Sequence, residues 1–483
     1  MDKPASRSPM TSRDVKIFFH HAPRKPNGGA PHYANALLED TFHELGWSVD
    51  SHYAEEEISW PDLFFPLREM RRIAGIEAAA ADLAFYCDGG TLLRPPSRRI
   101  ARRSAVFFHG VGRGSAVWAA NPEVDLYIAN SAYLQRLLQS VMSLPDWRRR
   151  HCLDPRVFYN TARLTLALPC VESPDGHPAV GAGRQPVLPG PVRAAIEAGG
   201  MLGHAIQPGK PDLVAQTEIL VALNALARAS GDGRPVRLLV SERDAARYQQ
   251  AVRPAARETL ARLGLTPEDL FLGVPPLPQA TLFELVAACG FCLCYNVVPE
   301  PFGFYVLESV FHLCPVYTNG AGNMRFMPEG HGIESRETLE MAFERTGFEA
   351  VASRILHDAG PGREEAERRC RLGRDLVARS FTRDVMRREL ASCLERLEEG
   401  DRGEPVFDAL VFGVGPGVRL WDRESGRVIS DLHNVQLTRE ENELAASLVG
   451  GCAGESRGFS EDRLAILDRL FDAGVLTLET AGP

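Results

Sequence analysis

Val298-Pro299-Glu300-Pro301-Phe302-Gly303-Phe304-Tyr305-Val306-Leu307-Glu308 is the stretch whose reading decides the fold. It follows a near-continuous apolar segment, Leu282 to Val297. The later part of that segment, Phe291-Cys292-Leu293-Cys294-Tyr295, reads as a buried strand. Proline and glycine then turn the chain, and the apolar spacing from Phe304 onward is helical. The unit is strand–turn–helix, with Glu300 in the turn and Glu308 about two helical turns further on.

Eight positions at ~1.5 Å rise per residue let the two carboxylates lie up to ~12 Å apart. That span suits a nucleotide-sugar, one acid near the sugar hydroxyls and the other near the ribose. The helix start between them offers N–H groups and a positive dipole end to a diphosphate.

Similar units recur on both sides. Val15-Lys16-Ile17-Phe18-Phe19 reads as a strand, followed by a loop with Gly28-Gly29 and an amphipathic helix that ends at Gly46. Strands are expected near 47–49, 83–86, 104–108 and 126–129. A Pro/Gly-rich linker runs from Ser173 to Pro191. Beyond it, strands near 200–204, 236–240, 270–273 and 291–295 alternate with helices, which indicates a second parallel sheet. Arg-rich helices from Arg363 to Leu397 close this half. The expected organisation is a disordered polar tail (1–12), two Rossmann-like domains (13–190 and 191–400) and a small accessory domain (405–483). In the accessory domain, strands around a Gly-Val-Gly-Pro-Gly turn precede two helices and a final strand. Thr438-Arg439-Glu440-Glu441 has the form of a capping box.

With 483 residues, 45% hydrophobic and 24% charged, the chain has the balance of an ordinary globular enzyme. A formal net charge of −9 argues against a generic polyanion binder, so no nucleic-acid partner is expected. The ten cysteines follow no disulfide framework. Cys289, Cys292 and Cys294 have a metal-like spacing but lie in the apolar strand, where they read as small core residues. No signal peptide or membrane-spanning segment is expected, and the cysteine usage suits a reducing cytoplasm.

Glu300-Pro301-Phe302-Gly303-Phe304-Tyr305-Val306-Leu307-Glu308, with Cys314-Pro315-Val316 and Gly320-Ala321-Gly322-Asn323 after it, resembles the Glu-x₇-Glu region of retaining GT-B glycosyltransferases of the large family-4 type. The resemblance covers about residues 15 to 398, and it implies that the last helix crosses back to the first domain. It implies an α/β GT-B fold, two doubly wound Rossmann-like domains facing a cleft. It also implies a hexosyltransferase that takes a nucleotide-sugar donor and retains the anomeric configuration. Its acceptor would be a glycan, a small molecule or a peptide.

On this resemblance Glu300, with the backbone of Phe302 and Gly303, holds the donor sugar, and Glu308 holds the ribose. Lys210 is the cation for the diphosphate. Where relatives commonly carry an arginine this chain has His204, so either His204 works protonated beside the diphosphate, or Arg243 compensates, or catalysis is slower. Gly28 and Gly29 let the first domain's backbone approach the donor or acceptor, and His109, which ends a strand, approaches the reacting sugar. No Asp-x-Asp occurs, so neither metal nor cofactor is expected. The C-terminal module looks like a winged helix, loosely similar to peptide-recognition elements of enzymes that modify ribosomal peptides. Competing expectations are a nucleotide-sugar epimerase and a non-catalytic sugar-nucleotide sensor.

Overall fold

The computed structural model describes residues 13–19, 30–53, 81–87, 99–110, 118, 124–140, 164–169, 171, 190–207, 209–277, 279–326, 333–334, 345–399, 410–431, 434–449, 452–453 and 460–480. The polar tail, Gly28, Gly29 and most of the Pro/Gly linker lie outside them. The chain divides into two compact units. One is Met1–Cys170 with Arg383–Phe407, and the other is Val171–Thr382 with Asp408–Pro483.

The first unit is built on six parallel strands: β1 (Arg13–Phe19), β2 (Trp47–Tyr53), β3 (Leu83–Cys87), β4 (Arg103–Phe108), β5 (Leu126–Ala129) and β6 (Leu164–Leu166). Their spatial order is β2-β1-β3-β4-β5-β6. Helices cover a doubly wound sheet on both faces, and β3 and β5 are accordingly buried along their whole length. Leu37, Leu38 and Phe42 of the helix Ala30–Glu44 pack on Val15, Ile17 and Phe85.

The helix Arg383–Glu399 adds Met386, Leu390, Cys393 and Leu394 to that same core. Glu389 accepts the Leu168 N–H at 2.5 Å, and Arg383 pairs with Asp40 and Glu44. The helix thus belongs to the first compact unit, and the preceding segment of the second unit ends at Thr382. The apolar stripe of this last helix is buried against the first sheet.

The second unit holds β7 (Leu202–Ala205), β8 (Arg237–Ser241), β9 (Phe271–Val274), β10 (Phe291–Cys294), β11 (Val316–Thr318) and β12 (Ile333–Glu334). All are parallel, in the order β12-β11-β10-β7-β8-β9. The chain winds outward from β7 through β8 to β9, then returns to β10 on the other side. The strand order therefore reverses between β7 and β10, and ligands of doubly wound sheets bind at such a reversal, beyond the carboxyl ends of the strands. No helix among the described residues is long and apolar enough to cross a membrane.

The C-terminal module has two antiparallel three-stranded sheets. One orders β17 (Cys452–Ala453), β13 (Leu410–Val414) and β18 (Leu476–Thr480). The other orders β14 (Val418–Asp422), β15 (Arg427–Ser430) and β16 (Asn434–Gln436). Helices Arg439–Leu448 and Glu461–Asp472 complete it. The capping box forms, with the Thr438 hydroxyl accepting the Glu441 N–H at 3.2 Å and the Glu441 carboxylate accepting the Thr438 N–H at 2.9 Å.

Candidate active site

Three loops leave the carboxyl ends of adjacent strands in the second unit. They are 206–210 after β7, 295–303 after β10 and 319–323 after β11. Gly303 enters the helix Phe304–Phe311 with φ 100°, a conformation that glycine adopts without strain. Phe302 is buried and anchors the turn edge-on against Phe304 and Phe381, with ring centroids 4.6 and 5.7 Å apart. Glu308 is half-buried on that helix.

Glu300 and Lys210 come together. The Lys210 ammonium donates to both Glu300 oxygens at 3.0 Å. Gln207 Nε2 and Asn296 Nδ2 donate to Oε1 at 3.1 and 3.0 Å. The Glu300 side chain is 5% exposed and that of Lys210 38%, so the cation lies on the solvent side of the carboxylate. An ammonium carries three donors, and these contacts leave scope for an anion to approach from the open side. Burying a carboxylate without such partners would cost several kcal/mol. The amide network is thus what lets Glu300 sit at the end of β10.

The surrounding loops are pinned by side chains. Asn319 bridges the 296 loop, its Nδ2 donating to the Asn296 carbonyl at 2.9 Å. Asn323 Nδ2 donates to the Phe302 carbonyl at 2.9 Å. The buried Asp244 accepts the Gly209 N–H at 3.0 Å and pairs with Arg247 at 2.5 Å, holding the turn that presents Lys210. Gln207, Asn296, Asn319 and Asp244 carry no sequence motif that marks them. A polar residue following a strand, with no visible partner, gives no local signal of its role.

His204 departs from expectation. It is 0% exposed within β7, and burial pushes its pKa from 6.5 down to about 3. Its Nδ1 is 2.5 Å from the Tyr305 hydroxyl, and its Nε2 is 3.3 Å from Cys314 Sγ. Burial also raises the Tyr305 pKa, so the phenol keeps its proton and donates to a neutral imidazole. The same hydroxyl accepts the Ile206 N–H at 2.6 Å. His204 is therefore a neutral core residue that fixes the root of the Lys210 loop, not a cation facing phosphate. Arg243 is exposed at the start of the helix Glu242–Ala251.

Linkage turns this burial into a pH dependence. Between about 3 and 6.5 the unfolded chain binds a proton at His204 that the folded chain refuses. The stability is complete above 6.5 and is lost as pH falls towards 3, at ~1.4 kcal/mol per pH unit. From pH 6.5 to pH 5, wild type should lose about 2 kcal/mol more than His204→Gln in urea unfolding. Equal losses in the two proteins would refute the assignment.

Cys292 and Cys294 are buried in β10, and Cys289 is buried just before it. Burial raises all three thiols, Cys292 to about 12, so they remain protonated core groups. In the first unit His109 stands at the carboxyl end of β4, half-buried, with Nε2 2.8 Å from Asn35 Oδ1 and its ring edge-on to Phe107.

No family model and no curated protein matches the chain. Among solved structures, it is similar to an α,α-trehalose-phosphate synthase (UDP-forming) from Burkholderia vietnamiensis. That likeness has 12% identity and a TM-score of 0.52, and covers 80% of this chain and 97% of that one. An α,α-trehalose 6-phosphate synthase from Burkholderia multivorans shows 11% identity and a TM-score of 0.50, with the same coverage. The chain has the GT-B fold of glycosyltransferases.

Proposed function

We propose that the chain is a glycosyltransferase that binds a nucleotide-sugar through its second unit and transfers the hexose with retention, without a metal. The observation that carries this reading is the Lys210–Glu300 pair at the strand-order reversal between β7 and β10. In the proposed complex, Lys210 neutralises the diphosphate from its exposed side. Glu300 accepts hydrogen bonds from donor sugar hydroxyls, and Glu308 accepts them from the ribose. The C1–O bond to the departing phosphate breaks as the acceptor oxygen bonds to C1 on the same face. The leaving phosphate takes the acceptor proton, and Lys210 stabilises its charge.

A panel of UDP-, GDP-, ADP- and TDP-hexoses tests this, with and without EDTA and with small-molecule and peptide acceptors. EDTA-insensitive release of one nucleoside diphosphate is expected. Lys210→Met should lower that rate by about 10²-fold, the scale of removing one charge-stabilising donor. The product's anomeric configuration, read by NMR, tests retention. Interconversion of the donor sugar without acceptor would mark an epimerase instead. Silence across the panel, with no nucleotide binding, would leave a non-catalytic scaffold.

A further inference from the structure

The C-terminal module reaches the candidate site through a hydrogen bond to a carboxylate that is itself held in a buried ion pair. Asp431, which follows β15, is 0% exposed at its side chain, and Arg419 of β14 is 8% exposed. Arg419 Nε donates to Asp431 Oδ1 at 2.8 Å. The same oxygen accepts the Gly322 N–H at 3.3 Å. The Asp431 N–H donates to the Gly417 carbonyl at 2.8 Å, fixing the carboxylate within its own sheet.

Gly322 belongs to the 319–323 loop and lies against the backbone of Glu300. Glu300 N–H donates to the Ala321 carbonyl at 3.3 Å, and Asn323 N–H donates to the Glu300 carbonyl at 2.7 Å. The two segments thus form a short parallel bridge, and Asp431 grips the outer side of it. A buried carboxylate needs charged and N–H partners. Here two of the partners are the module's own arginine and the 319–323 loop, which bridges to Glu300. A solvated appendage has no need of such a bond.

We infer that Asp431, held by Arg419, is a positioning residue for the donor site, so that residues 408–483 are a working part of nucleotide-sugar binding. This rests on the donor-site reading above. When the pair is lost, the 319–323 loop loosens, Glu300 shifts, and the Gln207–Asn296–Lys210 network that converges on it shifts too.

The test uses the full chain. UDP, GDP, ADP and TDP are titrated calorimetrically into wild type, Asp431→Ala, Asp431→Asn and Arg469→Ala. Hydrogen exchange of the 318–326 backbone is followed in each. Arg469→Ala removes the Arg469–Glu441 pair inside the module and serves as the control for general loosening. Asp431→Ala is expected to weaken the nucleotide that binds by about tenfold and to speed exchange at Gly322 and Asn323. Asp431→Asn, whose amide oxygen still accepts both bonds, should restore most of the affinity, and Arg469→Ala should leave it unchanged. If Asp431→Ala does not fold, Arg419→Gln carries the same expectation. Wild-type affinity and exchange in these variants would overturn the inference, as would an equal loss in Arg469→Ala. A wild-type chain that binds none of the four nucleotides overturns the donor-site reading and this inference with it. That outcome is distinct because wild type itself is silent.

Discussion

Glu300→Gln is expected to lower transfer turnover by about 10²–10³-fold while the protein stays folded. The substitution keeps the shape of the side chain but removes its charge and turns one acceptor into a donor. In the present network Lys210, Gln207 and Asn296 all donate to Glu300. A glutamine Nε2 in that place faces N–H groups, and the Lys210 ammonium loses its counter-charge. Removing one member of a fully buried pair typically destabilises by about 3–5 kcal/mol. Lys210 is 38% exposed and can turn into water, so most of that penalty is avoided and the loss should appear in activity. Single-turnover rates with the donor identified by the panel measure it, with near-UV circular dichroism as the check on folding. The double variant with Lys210→Met should be far less impaired than the product of the single losses, because the two groups act as one unit. Turnover within threefold of wild type would remove Glu300 from the mechanism.

The parts of this site written in local chemistry were legible beforehand. Phe291–Cys294 forms the buried strand, Gly303 supplies the turn, and the helix that carries Glu308 starts at Phe304. Each is set by residues adjacent in sequence, where periodicity and glycine act directly. What was not legible is set by partners far along the chain. His204 stands in the sequence where relatives carry an arginine, and its protonation is open until Tyr305, 101 positions away, and Cys314, 110 positions away, close around it. Asp244 meets Gly209 across 35 positions, and Asp431 meets Gly322 across 109. The helix Arg383–Glu399 reads as amphipathic, but its apolar stripe fits either sheet; its return to the first sheet, which the family resemblance implies, is seen in its packing. Buried polar groups follow the rule that each needs a partner, and that rule does not say which distant residue provides it.

Gly322→Ala should be among the most damaging single-methyl changes at the candidate site. Gly322 has φ +74°, and a Cβ built there would lie 2.3 Å from the Glu300 carbonyl oxygen and 2.5 Å from its nitrogen. Both are backbone atoms in a hydrogen-bonded bridge, so neither can swing aside as a flexible side chain could. Gly264 isolates the conformational part of the effect. Its φ is +71°, and a Cβ there meets nothing within 4 Å. Gly264→Ala should therefore show only the left-handed penalty of about 1–2 kcal/mol. Gly322→Ala should show that penalty plus the displacement of the Glu300 bridge, for a total of about 3 kcal/mol or more. The two losses differ in kind as well as size. Gly264→Ala lies outside the site and should bind the donor nucleotide as wild type does, whereas Gly322→Ala should lose detectable binding even at temperatures where it is fully folded. Urea denaturation paired with nucleotide titration separates these effects. Equal destabilisation by the two alanines, with binding intact in both, would mean that the 319–323 loop tolerates the methyl group and that Glu300 does not depend on it.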